Sequence, residues 1–170
     1  KPAGSLGLLE QIAIDFAGWQ RCEIAQLEKI QICVFAADHG IVEEGVSAFP
    51  QIVTGEMVKN FASGGAAISV IAKQVGASFS AVNMGLAVSL DEVAGVIDCS
   101  VASGTNNFSK APAMDSQQMA SALQAGAAQI DSDTQLFVGG EMGIGNSTSA
   151  AAIVSAVLGL PADQTVGKGT

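Results

Sequence analysis

The densest chemical signal in this chain of 170 residues is the stretch Gly139-Gly140-Glu141-Met142-Gly143-Ile144-Gly145-Asn146-Ser147-Thr148. It follows the apolar run Thr134-Gln135-Leu136-Phe137-Val138 and precedes an Ala- and Val-rich run from Ser149 to Leu158. Four glycines between a strand and a helix let backbone N–H groups converge, and a helix starting near Asn146 adds the positive end of its dipole. Together these suit a phosphate. The same glycines also serve a connection that needs nothing but tight packing. Counting from Gly140 gives the G-x-x-x-x-G spacing of a nucleoside-triphosphate loop, but Asn146-Ser147 stands where that loop carries Lys and then Ser or Thr, which argues against an NTPase. Gly143-Ile144-Gly145 gives half of a dinucleotide fingerprint and lacks its third glycine. Glu141 is the one charge in the stretch. A carboxylate among anion-seeking amides opposes phosphate unless it faces a ribose hydroxyl or a ring nitrogen; the other reading is a solvated surface carboxylate.

A second group of polar residues, Asp38-His39-Gly40, ends an apolar run. His39 is the single histidine, with no cysteine beside it and no H-x-x-x-H spacing, so no metal site is expected. A hydrogen-bonded structural histidine is favoured over a general base. Gly45-Val46-Ser47-Ala48-Phe49-Pro50 supplies a hydroxyl, an aromatic ring and a rigid bend, a mixture that lines a pocket for a flat heterocycle or packs the loop down. Gly104-Thr105-Asn106-Asn107-Phe108 reads as a surface turn. The chain has no G-x-S-x-G elbow for a serine nucleophile.

These groups need a scaffold. Ile30–Ala37 is a short, nearly continuous apolar run that predicts a strand buried on both faces. Further strands are predicted at Ser78–Val82, within Val93–Val101 and at Thr134–Val138. Helices are predicted over the segment containing Leu9, Ile12, Phe16 and Trp19 with Ser5 as its cap, from Thr54 as cap to the Gly64-Gly65 break, from Ala66 to Val75 with Gly76 closing it, from Asp115 or Ser116 to about Ile130, and from near Asn146 to Leu158. Strands alternating with helices predict an α/β fold with a mostly parallel sheet covered on both faces, whose ligands sit outside the carboxyl ends of the strands.

Composition narrows the function classes. Seven Lys and Arg against 16 Asp and Glu give a formal net charge of −9, and the basic residues are scattered, so a nucleic-acid grip is excluded. Apolar residues make up 49% and charged residues 14%, which specifies a folded core rather than disorder. No apolar run reaches the ~20 residues of a membrane-spanning helix, and the start shows no secretion signal. Three unpaired-looking cysteines, Cys22, Cys33 and Cys99, fit small buried hydrophobes in a reducing cytoplasm. The chain opens without Met and ends on a glycine-spaced loop, which reads as a piece of a longer protein.

Taken in order, Lys1-Pro-Ala-Gly-Ser-Leu-Gly-Leu-Leu-Glu10, Ala37-Asp-His-Gly40, Glu44-Gly-Val-Ser-Ala-Phe-Pro50, Gly64-Gly-Ala-Ala-Ile68, Gly104-Thr-Asn-Asn-Phe108 and Gly139–Thr148 resemble one family across the whole chain, the nicotinate-nucleotide–dimethylbenzimidazole phosphoribosyltransferases. The resemblance implies transfer of phosphoribose from nicotinate mononucleotide to 5,6-dimethylbenzimidazole, with inversion at the anomeric carbon, to give α-ribazole phosphate and nicotinate for the lower ligand of cobalamin. It implies a Rossmann-like sheet domain, a smaller helical domain to which residues 1–28 would contribute, with 29–170 as part of the larger one, and a cytoplasmic homodimer without metal or other cofactor. By the same resemblance, Gly143, Gly145, Asn146, Ser147 and Thr148 hold the nucleotide phosphate, and Glu141 and Met142 lie beside base and ribose. Ser47 and Phe49 cover the benzimidazole, and Gly169 and Thr170 begin a loop closing the nucleotide site. The general base of the family is a glutamate in a part lying beyond residue 170, which makes Glu141 a supporting carboxylate and this chain truncated before the C-terminal part. Where the family carries an acidic residue before a glycine at the end of the second strand, this chain has Asn83-Met84-Gly85. The alternative reading is a nucleotide-binding or regulatory module without catalysis.

Overall fold

The computed structural model describes the chain except positions 1, 3, 89, 91, 92, 169 and 170. Among the described residues four strands, β1 (Ile30–Ala37), β2 (Ser78–Gly85), β3 (Val96–Asp98) and β4 (Leu136–Met142), form one sheet in the order β3-β2-β1-β4. Every pairing is parallel. β1 is central, and its burial is nearly continuous because both faces are covered, as its unbroken apolar run requires.

The two faces of the sheet carry different side chains. Val34 and Ala81 pack with Phe61 and Ala66, and Ala36 packs with Val58 and Leu86; Met142 joins both clusters. This is the face of α2 (Ile52–Ala62) and α3 (Ala67–Val75). The alternate residues Phe35, Met84 and Phe137 face α4 (Ser116–Ala127) across a space also lined by Leu123 and Ile130. Alternation along β4 therefore sends Met142 into the α2 side and Glu141 to the α4 side.

Local chemistry sets the helix ends. Asp115 and Gln118 form a capping box at α4, each side chain bonding the other's backbone N–H. Gly76 and Gly159 close α3 and α5 (Asn146–Leu158) in left-handed conformation, at φ 70 and 65. Two expected caps are not used. α1 (Leu8–Gln20) starts after Gly7 instead of at Ser5, and none of its residues is buried. α2 begins two residues before Thr54, whose side chain is wholly buried inside the helix. The strands also run further than the apolar runs predict: β2 continues through Asn83-Met84-Gly85, and β4 through Gly139-Gly140-Glu141-Met142. Neighbouring backbone on β1 extends a ladder regardless of side chain. A short helix α6 (Ala162–Thr165) and a 3₁₀ helix over Gly40–Glu44 carry no periodic apolar pattern long enough to announce them.

Buried polar groups are tied to the frame. Gln31, at the amino end of β1, donates to the carbonyl of Gln129 and accepts from Asp131 N and Thr134 Oγ1, which anchors the α4–β4 connection. Cys33 is fully buried and burial, more than the nearby Asp131, raises its thiol pKa; Cys22 by contrast is exposed, so only the former behaves as a core hydrophobe. Asn83 is buried near the carboxyl end of β2. Its Nδ2 donates to Asp98 Oδ1 at 3.1 Å and its Oδ1 accepts from Gly85 N at 3.0 Å. Asp98 is held ionised by Ser100, through the hydroxyl first and the backbone N–H second. We expect Asn83→Asp to destabilise the fold by about 1–3 kcal/mol at neutral pH, because a donor facing a carboxylate becomes a like charge. The deficit shrinks in acid as the new carboxylate protonates, so urea melts at neutral and acidic pH measure it.

Candidate functional site

The carboxyl ends of β1, β2 and β4 meet at one edge of the sheet, and backbone packs there with almost no clearance. A Cβ on Gly40 would lie 2.5 Å from the backbone of Thr105, Asn106 and Asn107. Thr105 N donates to Asp38 O at 3.0 Å, and Gly40 N donates to Thr105 Oγ1 at 3.2 Å. Asp38 is buried and accepts from Ala87 N through Oδ2 at 2.9 Å. The Gly104–Phe108 turn thus fixes the end of β1 instead of standing free as a surface loop. Asn107, itself buried, donates to Glu43 and Glu44, and Lys110 pairs with Glu43 at 2.7 Å. Hydrogen bonds from Lys110 and Asn107 lower the Glu43 pKa, and those from Asn107 and Ser109 lower that of Glu44. A carboxylate depressed on folding contributes stability above its unfolded pKa and loses it as pH falls through the folded value, so this clasp weakens in acid.

The connection from β4 to α5 is three residues, Gly143-Ile144-Gly145, shorter than the ten-residue stretch implies, because Gly139 and Gly140 lie in the sheet paired with Cys33 and Val34. Ile144 N donates to the buried Thr54 hydroxyl at 3.2 Å, which pins the turn to α2. Gly145 has φ 89, a left-handed value, and a Cβ there would lie 2.8 Å from Val42 Cγ2. In the first turn of α5, Asn146 N donates to Gly143 O at 3.0 Å and Ser149 N to Gly145 O at 3.3 Å, which leaves the amides of Ser147 and Thr148 to face a ligand. A cleft of about 510 Å³ opens there, lined by Ser147, Thr148, Val46 and Lys168. Helix terminus, two hydroxyls and one cation give the cleft a chemistry that suits an anion.

Glu141 stands beside this turn, near the end of β4, with its side chain about half exposed. Asn146 Nδ2 donates to its Oε2. His39 Nε2 lies 3.6 Å from Oε1, and His39 Nδ1 lies 3.0 Å from Ser149 Oγ. The expectation of a hydrogen-bonded histidine holds, and the partnership with Glu141 adds to it. No residue pattern announces that pairing, since 101 intervening residues separate the two and only the register of β1 against β4 joins them. His39 also lines a smaller, apolar pocket of about 170 Å³, walled by Met84, Met114, Ala122 and Gly85. Its apolar walls suit a flat ring.

Of the remaining expected site residues, Ser47 is half-buried and Phe49 is 53% exposed, with Phe49 N donating to Ser47 Oγ at 3.2 Å. Gln51 secures the end of their loop by donating to His39 O at 3.1 Å. Met142 packs into the core on the α2 side, away from Glu141. Gly169 and Thr170 lie outside the described residues. Among the described residues no group of three His, Cys, Asp or Glu is gathered to hold a metal ion, and no helix is long and apolar enough to cross a membrane.

A family model described as phosphoribosyltransferase matches residues 1–170. The chain is 52% identical over 174 residues to the nicotinate-nucleotide–dimethylbenzimidazole phosphoribosyltransferase of Pseudomonas aeruginosa (strain LESB58), covering all of this chain and 50% of that protein. It is 50% identical to the enzyme of the same name from Xanthomonas oryzae pv. oryzae (strain PXO99A), with the same coverage. The crystal structure of the enzyme of that name from Thermus thermophilus superposes with a TM-score of 0.90 at 40% identity, over 98% of this chain and 52% of that one. The chain spans about half the length of the relatives it matches. It belongs to the phosphoribosyltransferase family of the nicotinate-nucleotide–dimethylbenzimidazole type.

Proposed function

We propose that this chain is the nucleotide-binding portion of an enzyme that moves phosphoribose from nicotinate mononucleotide to 5,6-dimethylbenzimidazole. The observation that carries the reading is the meeting of an anion site at the start of α5 with the Glu141, Asn146 and His39 cluster at one sheet edge, in a chain of this family. In the reaction a benzimidazole nitrogen forms the new bond to the anomeric carbon as the bond to the nicotinate ring nitrogen breaks. Nicotinate leaves with the electron pair, and the benzimidazole N–H proton goes to a base. Phosphate sits on the amides of Ser147 and Thr148 with Lys168 as counter-charge. Gly143 and Gly145 let backbone approach it, with Asn146 alongside. Glu141 accepts from a ribose hydroxyl or helps to handle the ring proton, and Ser47 and Phe49 close over the ring.

The general base comes, in this proposal, from residues outside the 170, as does the rest of a smaller domain to which residues 1–28 belong. The exposed apolar residues of α1, Leu8, Leu9 and Trp19 among them, support that assignment. We further infer a homodimer working in the cytoplasm; the three free thiols suit that compartment. The test is chromatographic detection of α-ribazole phosphate from both substrates. A positioned base contributes ~10²–10⁴-fold, so the 170-residue chain should form little product where the full-length protein forms it readily. Turnover by the short chain near that of the full-length protein would contradict the division of roles, and no product from the full-length protein would contradict the function.

A further inference from the structure

We propose that His39 is a positioning residue for Glu141. Its ring carries the proton on Nε2 and aims it at one carboxylate oxygen, while Asn146 holds the other. An ionised carboxylate only accepts, so the ring nitrogen facing Glu141 Oε1 must bear the hydrogen, and Nδ1 is left to accept from the Ser149 hydroxyl 3.0 Å away. Nε2 is buried and has no hydrogen-bond partner at present, since 3.6 Å is an ion-pair distance rather than a hydrogen bond. A small rotation of the half-exposed Glu141 side chain closes that gap, whereas the imidazole is held on its other side and by its own backbone, whose carbonyl accepts from Gln51 Nε2 and Val42 N.

Gly143 shows that the space between the two groups is kept clear. A Cβ there would lie 2.8 Å from His39 Nε2 and 2.9 Å from Glu141 Oε1, besides meeting the carbonyl of Ala37 at 2.3 Å. Four elements thus converge on one carboxylate: the end of β1 brings His39, β4 brings Glu141, the turn withholds a side chain, and α5 brings Asn146 and Ser149. With Oε1 and Oε2 each fixed from one side, the remaining lone pairs of Glu141 face outward at the sheet edge. The kinetic part of the test rests on the transferase reading above; the spectroscopic part does not.

Because the chain has one histidine, a ¹⁵N-edited imidazole spectrum of the wild-type chain reads this ring alone. In alkaline buffer we expect the shifts of an Nε2-protonated, Nδ1-accepting ring. A ring protonated on Nδ1, or an unconstrained mixture of tautomers, overturns the proposal whatever the enzyme does. In a full-length context, His39→Gln sets an amide N–H near the Nε2 position and keeps a donor for Glu141, while His39→Asn sets its amide near Nδ1 and keeps only the Ser149 contact. The expected order is His39→Gln within about threefold of wild type in kcat, and His39→Asn lower by about 10–100-fold with KM for nicotinate mononucleotide little changed. A merely structural histidine gives the reverse order or an equal loss in both, and either result rejects the positioning role. Absence of transferase activity in the wild-type full-length protein rejects the proposed function, and the spectrum still decides the ring.

Discussion

In a full-length context, Glu141→Gln is expected to lower the proposed transferase kcat by about 10–100-fold, some 1.4–2.8 kcal/mol of transition-state stabilisation, while nucleotide affinity moves by less than about threefold. The substitution is nearly isosteric and Asn146 can still bond the side chain, so the loss is one of charge. An amide keeps an acceptor for a ribose hydroxyl but forfeits the charge-assisted part of the bond, which is about half of it. It also cannot take up a proton from the benzimidazole. Charge matters most where positive character develops at the anomeric carbon, so the effect falls on the chemical step rather than on binding. Steady-state kinetics beside a direct titration separates the two. A variant with wild-type kcat returns Glu141 to a solvated surface carboxylate.

Gly145→Val is expected to weaken nicotinate mononucleotide binding by at least about tenfold, ~1.4 kcal/mol, in a chain that keeps its helical and sheet content. Two causes act together. At φ 89 a β-branched residue adopts a conformation that costs about 1–3 kcal/mol, and its Cβ meets Val42 Cγ2 at 2.8 Å, so the 3₁₀ segment must retreat. Either change shifts the first turn of α5, and with it the amides of Ser147 and Thr148. Calorimetry with the variant, alongside circular dichroism to confirm the fold, reads the loss; unchanged affinity in a folded variant removes the turn from the binding site.

Much of the scaffold was legible because its elements obey one dominant rule each. β1 is apolar at nearly every position and lies where its run of residues ends, and α3 closes at Gly76 where a left-handed residue is required. The misreadings share a cause, which is that partners distant in sequence decided the outcome. Gly139 and Gly140 look like a loop until β1 offers them a ladder, and Thr54 looks like a cap until the turn after β4 needs an acceptor. At the site, the glycine-spaced start of α5, where the phosphate is proposed to sit, could be read from the sequence. The place of Lys168 in the same cleft could not, because its approach to Ser147 and Thr148 depends on the return of the chain through α6. His39 carried the right residue type without its partner. Its pairing with Glu141 follows from strand register, which no local pattern encodes.

Whether the start of α5 is a phosphate site for nicotinate mononucleotide is decided by an amide-resolved NMR titration of the chain with that nucleotide. Saturable shifts are expected, concentrated at Gly143 to Ser149 and at Lys168, reduced when Lys168 is replaced by alanine and reproduced in part by inorganic phosphate alone. Shifts centred instead on the cleft at the far edge of the sheet, around Val93 to Asp98, or no saturable shift in a chain shown to be folded, would contradict it.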